Sequence, residues 1–310
     1  MPPTFFTAND GDIILRAGTE PDSKHEFRVH KFILSLASPV FKDMFAFPQP
    51  PDPALNERHQ PPVVDVLDPP EVLDMILRLI YPGVEPPNIA DIQTLSVLLS
   101  TADKYNITSV YPVLRAALKT FLPCHPLGVY AVACRFGFLE EAKEATKAGK
   151  TSHITNEAFD EQVLHLSTTD LLRWVRFVQG REDDGREIIK TSLDWMDRSD
   201  DCGPNCIHGN TNDGEDFYFL LEKAVTDAFR ADPCVGVKDL FAVLDTVPDP
   251  PTGCKSPQRS GEYYYYVGAT EEFSCPLQPM TIRNCLLGIA DELRDLNRRM
   301  LDEAFGKGSG

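Results

Sequence analysis

The sequence has few basic residues for its length and no long hydrophobic run. Lysine and arginine together number 30 against 47 aspartates and glutamates, which gives a net charge of −17. A surface this acidic repels nucleic-acid phosphates and anionic lipids unless it carries a local basic patch, and the sequence contains no basic cluster. No segment approaches the roughly 18 apolar residues that are needed to span a bilayer. The sequence therefore predicts neither direct nucleic-acid binding nor a membrane protein.

Targeting signals and catalytic signatures are also missing. The first residues, MPPTFFTANDGD, lack the basic start and apolar stretch of a signal peptide, so we expect a chain that stays in the cytoplasm, the nucleus or both. The motifs GxxxxGK[ST], GxGxxG and GxSxG do not occur, and HEFRVH is one residue longer than the HExxH of zinc proteases. These absences predict a protein that is not an enzyme.

What the sequence does contain is enough apolar material for packed cores. The chain has 310 residues, of which 42% are hydrophobic. This length exceeds that of one average domain, so we expect two. We predict an α+β domain over residues 1–122, a mostly α-helical domain over 123–305 and a disordered tail over 306–310. Two irregular loops that contain cysteine are expected to interrupt the helical domain, at residues 201–216 and 248–276.

The N-terminal third changes its hydrophobic period at residue 30. Two short apolar runs, DIILRAG and EFRVH, flank a polar segment and predict a β-hairpin. The spacing then becomes helical, with Phe32, Leu36, Val40 and Met44 on one stripe. We expect most of the apolar side chains that pack between the strand and the helices to lie in the core: Phe27, Val29, Leu34, Phe41 and Met44. Ser38-Pro39 predicts the end of one helix and the start of another, because the residue before a proline avoids helical geometry.

The next segments carry their own start and stop signals. PVVDVLD predicts a strand around residues 63–66, and EVLDMILRLIYPG predicts a helix that Pro82-Gly83 stops. Two further helices are predicted from DIQTLSVLLSTADKYNI and SVYPVLRAALKTFL, with Asn106 as a left-handed helix stop. Near the C-terminus, TIRNCLLGIADELRDLNRRMLDEAF predicts a long helix whose apolar stripe consists of Leu286, Ile289, Leu293, Leu296 and Met300.

The order of the N-terminal motifs resembles the BTB/POZ domain family. FRVHKFILSLASPVFKDMF (27–45) fits the family pattern apolar-x-apolar-His-Lys/Arg-x-x-Leu-x-x-x-Ser-x-x-Phe-x-x-Met-Phe. GDIIL supplies the first strand with its aspartate, IYPG ends a helix, and ADKYNITSV (102–110) matches the family's Ala-Asp-Lys-Tyr junction. The proline-rich loop, the IYP ending and the cysteine-bearing extension are similar to a version that is frequent in fungi. The resemblance implies a small sheet capped by helices.

The resemblance also implies a protein-protein interaction module. Many members form homodimers, and an acid and a base lie close together near the two-fold interface. The matching residues here are Asp12 and Lys31. One large group of members are substrate adaptors of cullin-based ubiquitin ligases. The matching cullin surface consists of Met44, Phe45 and Phe47, although FAFPQPP lacks the acidic residue that cullin-binding members tend to carry there.

Two functional hypotheses follow from the resemblance. The first is a self-associating interaction module that also serves as a cullin adaptor. The alternative is a transcription-linked or scaffold protein that dimerises through the same domain without binding a cullin. Protein partners, including a second copy of the chain, are expected in both cases.

One cysteine cluster has spacing typical of zinc ligands. CGPNCIH places Cys202, Cys206 and His208 close together, and a fourth ligand would come from Cys254, or else from Cys275 or Cys234. A structural zinc site is one interpretation, and unligated residues in an acidic loop are the other, because only one tight ligand pair is present. Measuring the zinc content of the purified chain, with and without Cys202→Ser, distinguishes the two.

Overall fold

The computed structural model describes residues 6, 10–18, 25–46, 61–157, 161–194, 213–235, 237–247 and 279–306. The chain divides into two compact units. Unit 1 consists of Met1–Ala142 with Phe159–Leu166, and unit 2 consists of Lys143–Ala158 with Ser167–Gly310. In the part of the chain that the structure describes, no helix has the length and apolar character needed to cross a membrane.

Unit 1 contains a three-stranded sheet with the strand order β2-β1-β3. Its strands are β1 (Ile13–Ala17), β2 (His25–Val29) and β3 (Val63–Val66). β1 and β2 pair antiparallel, which confirms the predicted hairpin, and β3 pairs parallel to β1. β1 is the central strand, and four of its five residues are buried.

Helices cover the rest of unit 1. They are α1 (Lys31–Ala37), α2 (Pro39–Ala46), α3 (Pro70–Ile80), α4 (Ile92–Lys104), α5 (Tyr111–Thr120), α6 (Pro126–Phe136), the start of α7 (Leu139–Ala148) and α9 (Glu161–Leu164). A short 3-10 helix, Thr108–Val110, precedes α5. The small sheet and these helices confirm the predicted α+β fold for the N-terminal domain.

Three predicted stops are confirmed by the backbone. Ser38 is extended, with φ −142°, and separates α1 from α2. Gly83 and Asn106 have φ values of +76° and +50°, so both lie in the left-handed region. Asn106 follows α4, where a short polar side chain tolerates a conformation that L-residues otherwise avoid. Local sterics therefore end these helices where the sequence predicts.

Unit 2 is helical in its described part. It consists of the end of α7, α8 (Thr151–Glu157), α10 (Thr168–Asp194), α11 (Asp213–Ala231), α12 (Val237–Val243) and α13 (Pro279–Phe305). The predicted stripe on α13 is confirmed, since four of its five members are fully buried: Leu286, Ile289, Leu293 and Leu296. Leu286, Ile289 and Leu293 pack with side chains of α10, α11 and α12 in one core.

α10 is longer than the sequence suggests. TTDLLRWVRFVQG and DDGREIIKTSLDWMDR read as two helical segments around Gly180, but the helix continues through both Gly180 and Gly185. A Cβ atom on Gly185 would lie 2.3 Å from Cζ of Phe229, so only glycine lets the two helices approach this closely. Gly185 therefore allows close packing of α10 against α11 and does not end the helix.

The structure bears on the predicted boundaries in two places. α11 begins at Asp213, inside the segment 201–216 that is predicted as a loop, and residues 201–212 lie outside the described residues. The predicted loop 248–276 lies outside the described residues. Unit 1 continues past residue 122, through α6 into α7. The domain boundary after residue 122 remains a prediction.

Candidate interaction surfaces

The first candidate surface is built where β1 and β2 approach the start of α1. Gly11 lies so close to β2 that a Cβ atom there would be 2.7 Å from the backbone nitrogen of Val29. This approach brings Asp12 to the first turn of α1, where its Oδ1 accepts a hydrogen bond from the backbone N–H of Lys31 at 2.8 Å. A carboxylate in this position satisfies a free N–H group, and its negative charge is stabilised by the positive N-terminal end of the helix dipole. The structure therefore brings the two predicted dimer residues together.

A tyrosine holds the residue before α1 in place. The Tyr81 hydroxyl accepts a hydrogen bond from the His30 backbone N–H at 2.7 Å, and the Tyr81 ring packs edge-on against Phe6. His30 Nε2 lies 3.8 Å from Oδ2 of Asp10. Burial raises the pKa of Tyr81 to about 12, the bond from His30 opposes the rise, and the carboxylates of Asp12 and Asp10 add to it. The hydroxyl therefore stays protonated at neutral pH.

The outer face of α1 carries two exposed apolar side chains. Leu34 is fully buried, whereas Phe32 is 78% exposed and Leu36 is 79% exposed. Both lie two positions from Leu34, which is about 200° around a helix, so they point away from the core that Leu34 enters. The prediction that Leu34 lies in the core is confirmed. We call Phe32 and Leu36 the α1 patch.

A buried serine holds the start of α2 in place through two hydrogen bonds. Ser38 Oγ accepts a hydrogen bond from the Phe41 backbone N–H at 3.0 Å and donates one to the Tyr105 carbonyl at 2.5 Å. The Phe41 and Tyr105 rings are stacked with centroids 4.5 Å apart. The Tyr105 hydroxyl donates to Asp68, whose carboxylate also pairs with Lys104 Nζ at 2.9 Å. Burial, followed by the contact with Asp68, raises the pKa of Tyr105.

The predicted cullin surface lies at the end of α2. Met44 and Phe45 are half-buried, and the Phe45 ring stacks against Phe41 with centroids 5.9 Å apart. Phe45 is thus partly a packing residue of unit 1, while Met44 offers part of its side chain to solvent. Phe47 lies outside the described residues.

The four predicted zinc ligands are not among the described residues. They are Cys202, Cys206, His208 and Cys254. Within the described ranges, no three His, Cys, Asp or Glu side chains are grouped in a way that would hold a metal ion. Cys234, one of the alternatives for the fourth ligand, is described and is a free thiol on unit 2.

Sequence reasoning missed two features of the first surface. Tyr81 appears in the sequence only as part of a helix-ending IYPG, and nothing in its local pattern indicates a bond to a backbone N–H 51 residues away. For the α1 patch a signal did exist. Once Ser38-Pro39 ends the helix, α1 has only seven residues, and such a short helix buries one side chain here rather than a long stripe.

Comparison with known proteins supports the fold seen in unit 1. A family model described as the BTB/POZ domain matches residues 7–122, which include the sheet and helices α1 to α5. No curated protein matches the chain.

Proposed function

Because residues 7–122 are a BTB/POZ domain, which is a protein-protein interaction module, we propose that the chain self-associates through the α1 patch. The observation that carries the proposal is the exposure of Phe32 and Leu36, which exceeds that of every other large hydrophobic side chain in the described ranges. Apolar side chains this exposed on one short helix mark a surface that a partner covers. A two-fold dimer would place the patch of each protomer against its copy.

The energetics show how much the patch contributes. Full burial of a phenylalanine or leucine side chain is worth about 1.5–3 kcal/mol. Two side chains from each protomer therefore contribute roughly 6–12 kcal/mol, against an association cost of about 4–15 kcal/mol. The free energy gained by burying the patch is therefore about equal to the cost of association. Neighbouring groups must contribute the rest of the binding free energy. Because the margin is small, removing the patch is enough to dissociate the dimer.

Asp12 and Lys31 are the neighbouring groups best positioned to add to it. Lys31 begins α1 one residue before Phe32, and Asp12 already contacts the backbone of Lys31. Across a two-fold axis, the Lys31 ammonium of one protomer would face the Asp12 carboxylate of its partner. Such a pair adds little free energy at an exposed rim, but it fixes the relative orientation of the two copies.

Size-exclusion chromatography with light scattering tests self-association. The wild-type chain is expected at twice the 34.6 kDa of one chain, and the variant Phe32→Ser/Leu36→Ser is expected as a monomer. The matched control is Phe219→Ser/Leu220→Ser, which removes an exposed phenylalanine and leucine from α11 in unit 2 and should remain dimeric. A monomeric wild type, or a double variant that still dimerises, refutes the proposal.

The second proposal is that the chain serves as an adaptor of a cullin-based ubiquitin ligase. Its support is the end of α2, where Met44 and Phe45 are only half-buried and leave apolar atoms for a partner. Calorimetry with a purified cullin tests it, and Met44→Ala should weaken binding without changing the dimer. Leu172→Ala, at an exposed leucine of α10, is the control. No binding by the wild type would favour a dimeric scaffold or transcription-linked role instead.

A further inference from the structure

Unit 1 carries an elongated polar cleft that is distinct from the α1 patch. Two cavities of about 350 and 340 Å³ share three lining residues, so they form one continuous cleft: Ser100, Lys104 and Arg135. Each cavity has the size of a ligand-binding pocket. One long wall is α4, which presents Gln93, Val97, Ser100 and Lys104 at helical spacing. This stripe is polar along most of its length, so a partner must satisfy hydrogen bonds as well as fill space.

The opposite wall is the short helix α9. Glu161 and Gln162 of α9 both exchange hydrogen bonds with the Gln93 side chain, and Val163 is buried. α9 belongs to unit 1 although the residues before and after Phe159–Leu166 belong to unit 2. The segment Phe159–Leu166 is therefore part of unit 1, and its residues Glu161, Gln162 and His165 line one side of the cleft.

Basic groups lie in the middle of the cleft. Lys104 is paired with Asp68. The Arg135 guanidinium lies over the Phe136 ring, 5.3 Å from its centroid, and Arg135 is exposed. Among the residues that the structure describes, no carboxylate forms an ion pair with Arg135. The middle of the cleft therefore holds a positive charge that is available to a ligand.

Acidic groups lie at the two ends. Glu161 lines only the first cavity, and Asp103 lines only the second. Glu161 accepts from the Gln93 amide and Asp103 from the Tyr111 hydroxyl at 3.5 Å, and within the described ranges neither is paired with a basic side chain. Along the cleft the unpaired charges therefore run negative, positive, negative.

We propose that this cleft binds an extended peptide segment of a partner protein, with an acidic side chain in the centre and a basic side chain on each flank. The central carboxylate would accept from Arg135, and the flanking cations would face Glu161 and Asp103. At the second end, the Tyr111 ring lines the cavity beside Asp103. Complementary charges along a cleft select one order of residues and reject the inverse order.

A peptide fits this cleft better than a nucleic acid. Phosphates would meet two carboxylate ends within a chain whose net charge is −17. The Gln93 amide keeps one N–H beyond its bond to Glu161, and the Ser100 hydroxyl, which donates to the Ser96 carbonyl, can still accept from a peptide N–H. The proposal rests on the role of the chain as an interaction module, but it uses a surface other than α1, so the two can fail separately.

Peptide arrays followed by fluorescence anisotropy test the proposal on the full chain. The probes are labelled synthetic peptides with three charged positions, separated by one to three neutral residues so that different spacings are sampled. The charge orders compared are Lys–Asp–Lys, Asp–Lys–Asp, Lys–Asn–Lys and Lys–Lys–Lys. Lys–Asp–Lys should bind tightest at its best spacing, and replacing its aspartate with asparagine should weaken binding about tenfold, since a charge-assisted bond to arginine is lost.

Variants of Arg135 connect this preference to the cleft. Arg135→Gln should bind Lys–Asp–Lys and Lys–Asn–Lys equally well, and Arg135→Glu should prefer Lys–Lys–Lys. The control is Arg299→Glu, at an exposed site on α13 of unit 2. It changes the net charge by as much as Arg135→Glu does and should keep the wild-type ranking of the peptides. Thermal unfolding of each variant checks that it folds. If Arg135→Glu does not fold, Arg135→Gln alone provides the test.

Several results would overturn the proposal. If Lys–Lys–Lys binds wild type tightest at every spacing, binding follows the net charge of the chain and not the cleft. If no peptide binds, or if both Arg135 variants keep the wild-type ranking, the cleft is not the site. Light scattering on the same samples reports the dimer independently, so loss of peptide binding in a dimeric Arg135→Gln variant leaves self-association intact.

Discussion

Replacing Ser38 with alanine should destabilise unit 1 selectively. The Ser38 hydroxyl is fully buried, accepts from the Phe41 N–H in the first turn of α2 and donates to the carbonyl of Tyr105. Alanine conserves the shape of the site but removes both bonds. The Phe41 N–H then loses its cap, and the Tyr105 carbonyl loses a donor in a place that water does not reach.

The magnitude follows from these two losses. Removing an N-cap hydroxyl costs about 1 kcal/mol, and leaving a buried acceptor unsatisfied costs about 1–3 kcal/mol. Ser38→Ala should therefore lower the free energy of unfolding of unit 1 by roughly 2–4 kcal/mol. This is a large share of the stability of an ordinary domain, so the serine of the family pattern is a structural requirement in this chain.

Hydrogen exchange measured by mass spectrometry suits a chain with two compact units, because a single unfolding transition would not separate them. Peptides from β1 and α4 report on unit 1 and should lose protection in Ser38→Ala, whereas peptides from α13 in unit 2 should not. Ser109→Ala, at an exposed serine, is the control. If the protection of β1 falls by less than about 0.5 kcal/mol, the two bonds do not stabilise unit 1 as argued.

Two further predictions follow from the packing and the pKa of single residues. Gly185→Ala should destabilise unit 2 by about 1–3 kcal/mol, because its Cβ would lie 2.3 Å from the Phe229 ring. Gly288→Ala, whose Cβ meets nothing within 4 Å, should instead stabilise α13 by about 0.5–1 kcal/mol, and thermal unfolding of both variants compares the two. Tyr81 has a folded pKa of about 12, above its ordinary value of 10.0, so its stabilisation is complete below pH 10 and is lost as pH rises toward 12. Urea unfolding should therefore show a steeper loss of stability above about pH 10 in wild type than in Tyr81→Phe, and equal slopes would contradict the assignment.

Much of unit 1 could be predicted because its signals are local. The hairpin, the break at Ser38-Pro39 and the left-handed Asn106 each depend on backbone sterics and on the alternation of side chains within a few residues. The spacing from Phe27 to Phe45 adds enough order to identify the BTB/POZ domain from the sequence. In unit 2, the stripe on α13 was predictable for the same reason, since a long amphipathic helix carries its own period.

The cleft was not predictable from sequence. Arg135 lies in the last turn of α6 and reads there as an ordinary basic residue near a helix C-terminus. Its role depends on α4 and α9, which are distant in the sequence and meet only in the folded unit. Gly180 gave a misleading signal for a different reason, because a glycine inside a long helix looks the same in sequence as one that ends a helix.

The amino-acid order by itself determined that the first third of this chain is a BTB/POZ domain, where its helices begin and end, and that the long C-terminal helix has one buried face. Only the tertiary structure decided which apolar side chains of α1 remain uncovered and which charges meet across the cleft. The physical reason is that secondary structure and capping depend on neighbours along the chain. Exposure and charge complementarity depend instead on neighbours in space, and those are fixed only when the separate elements pack.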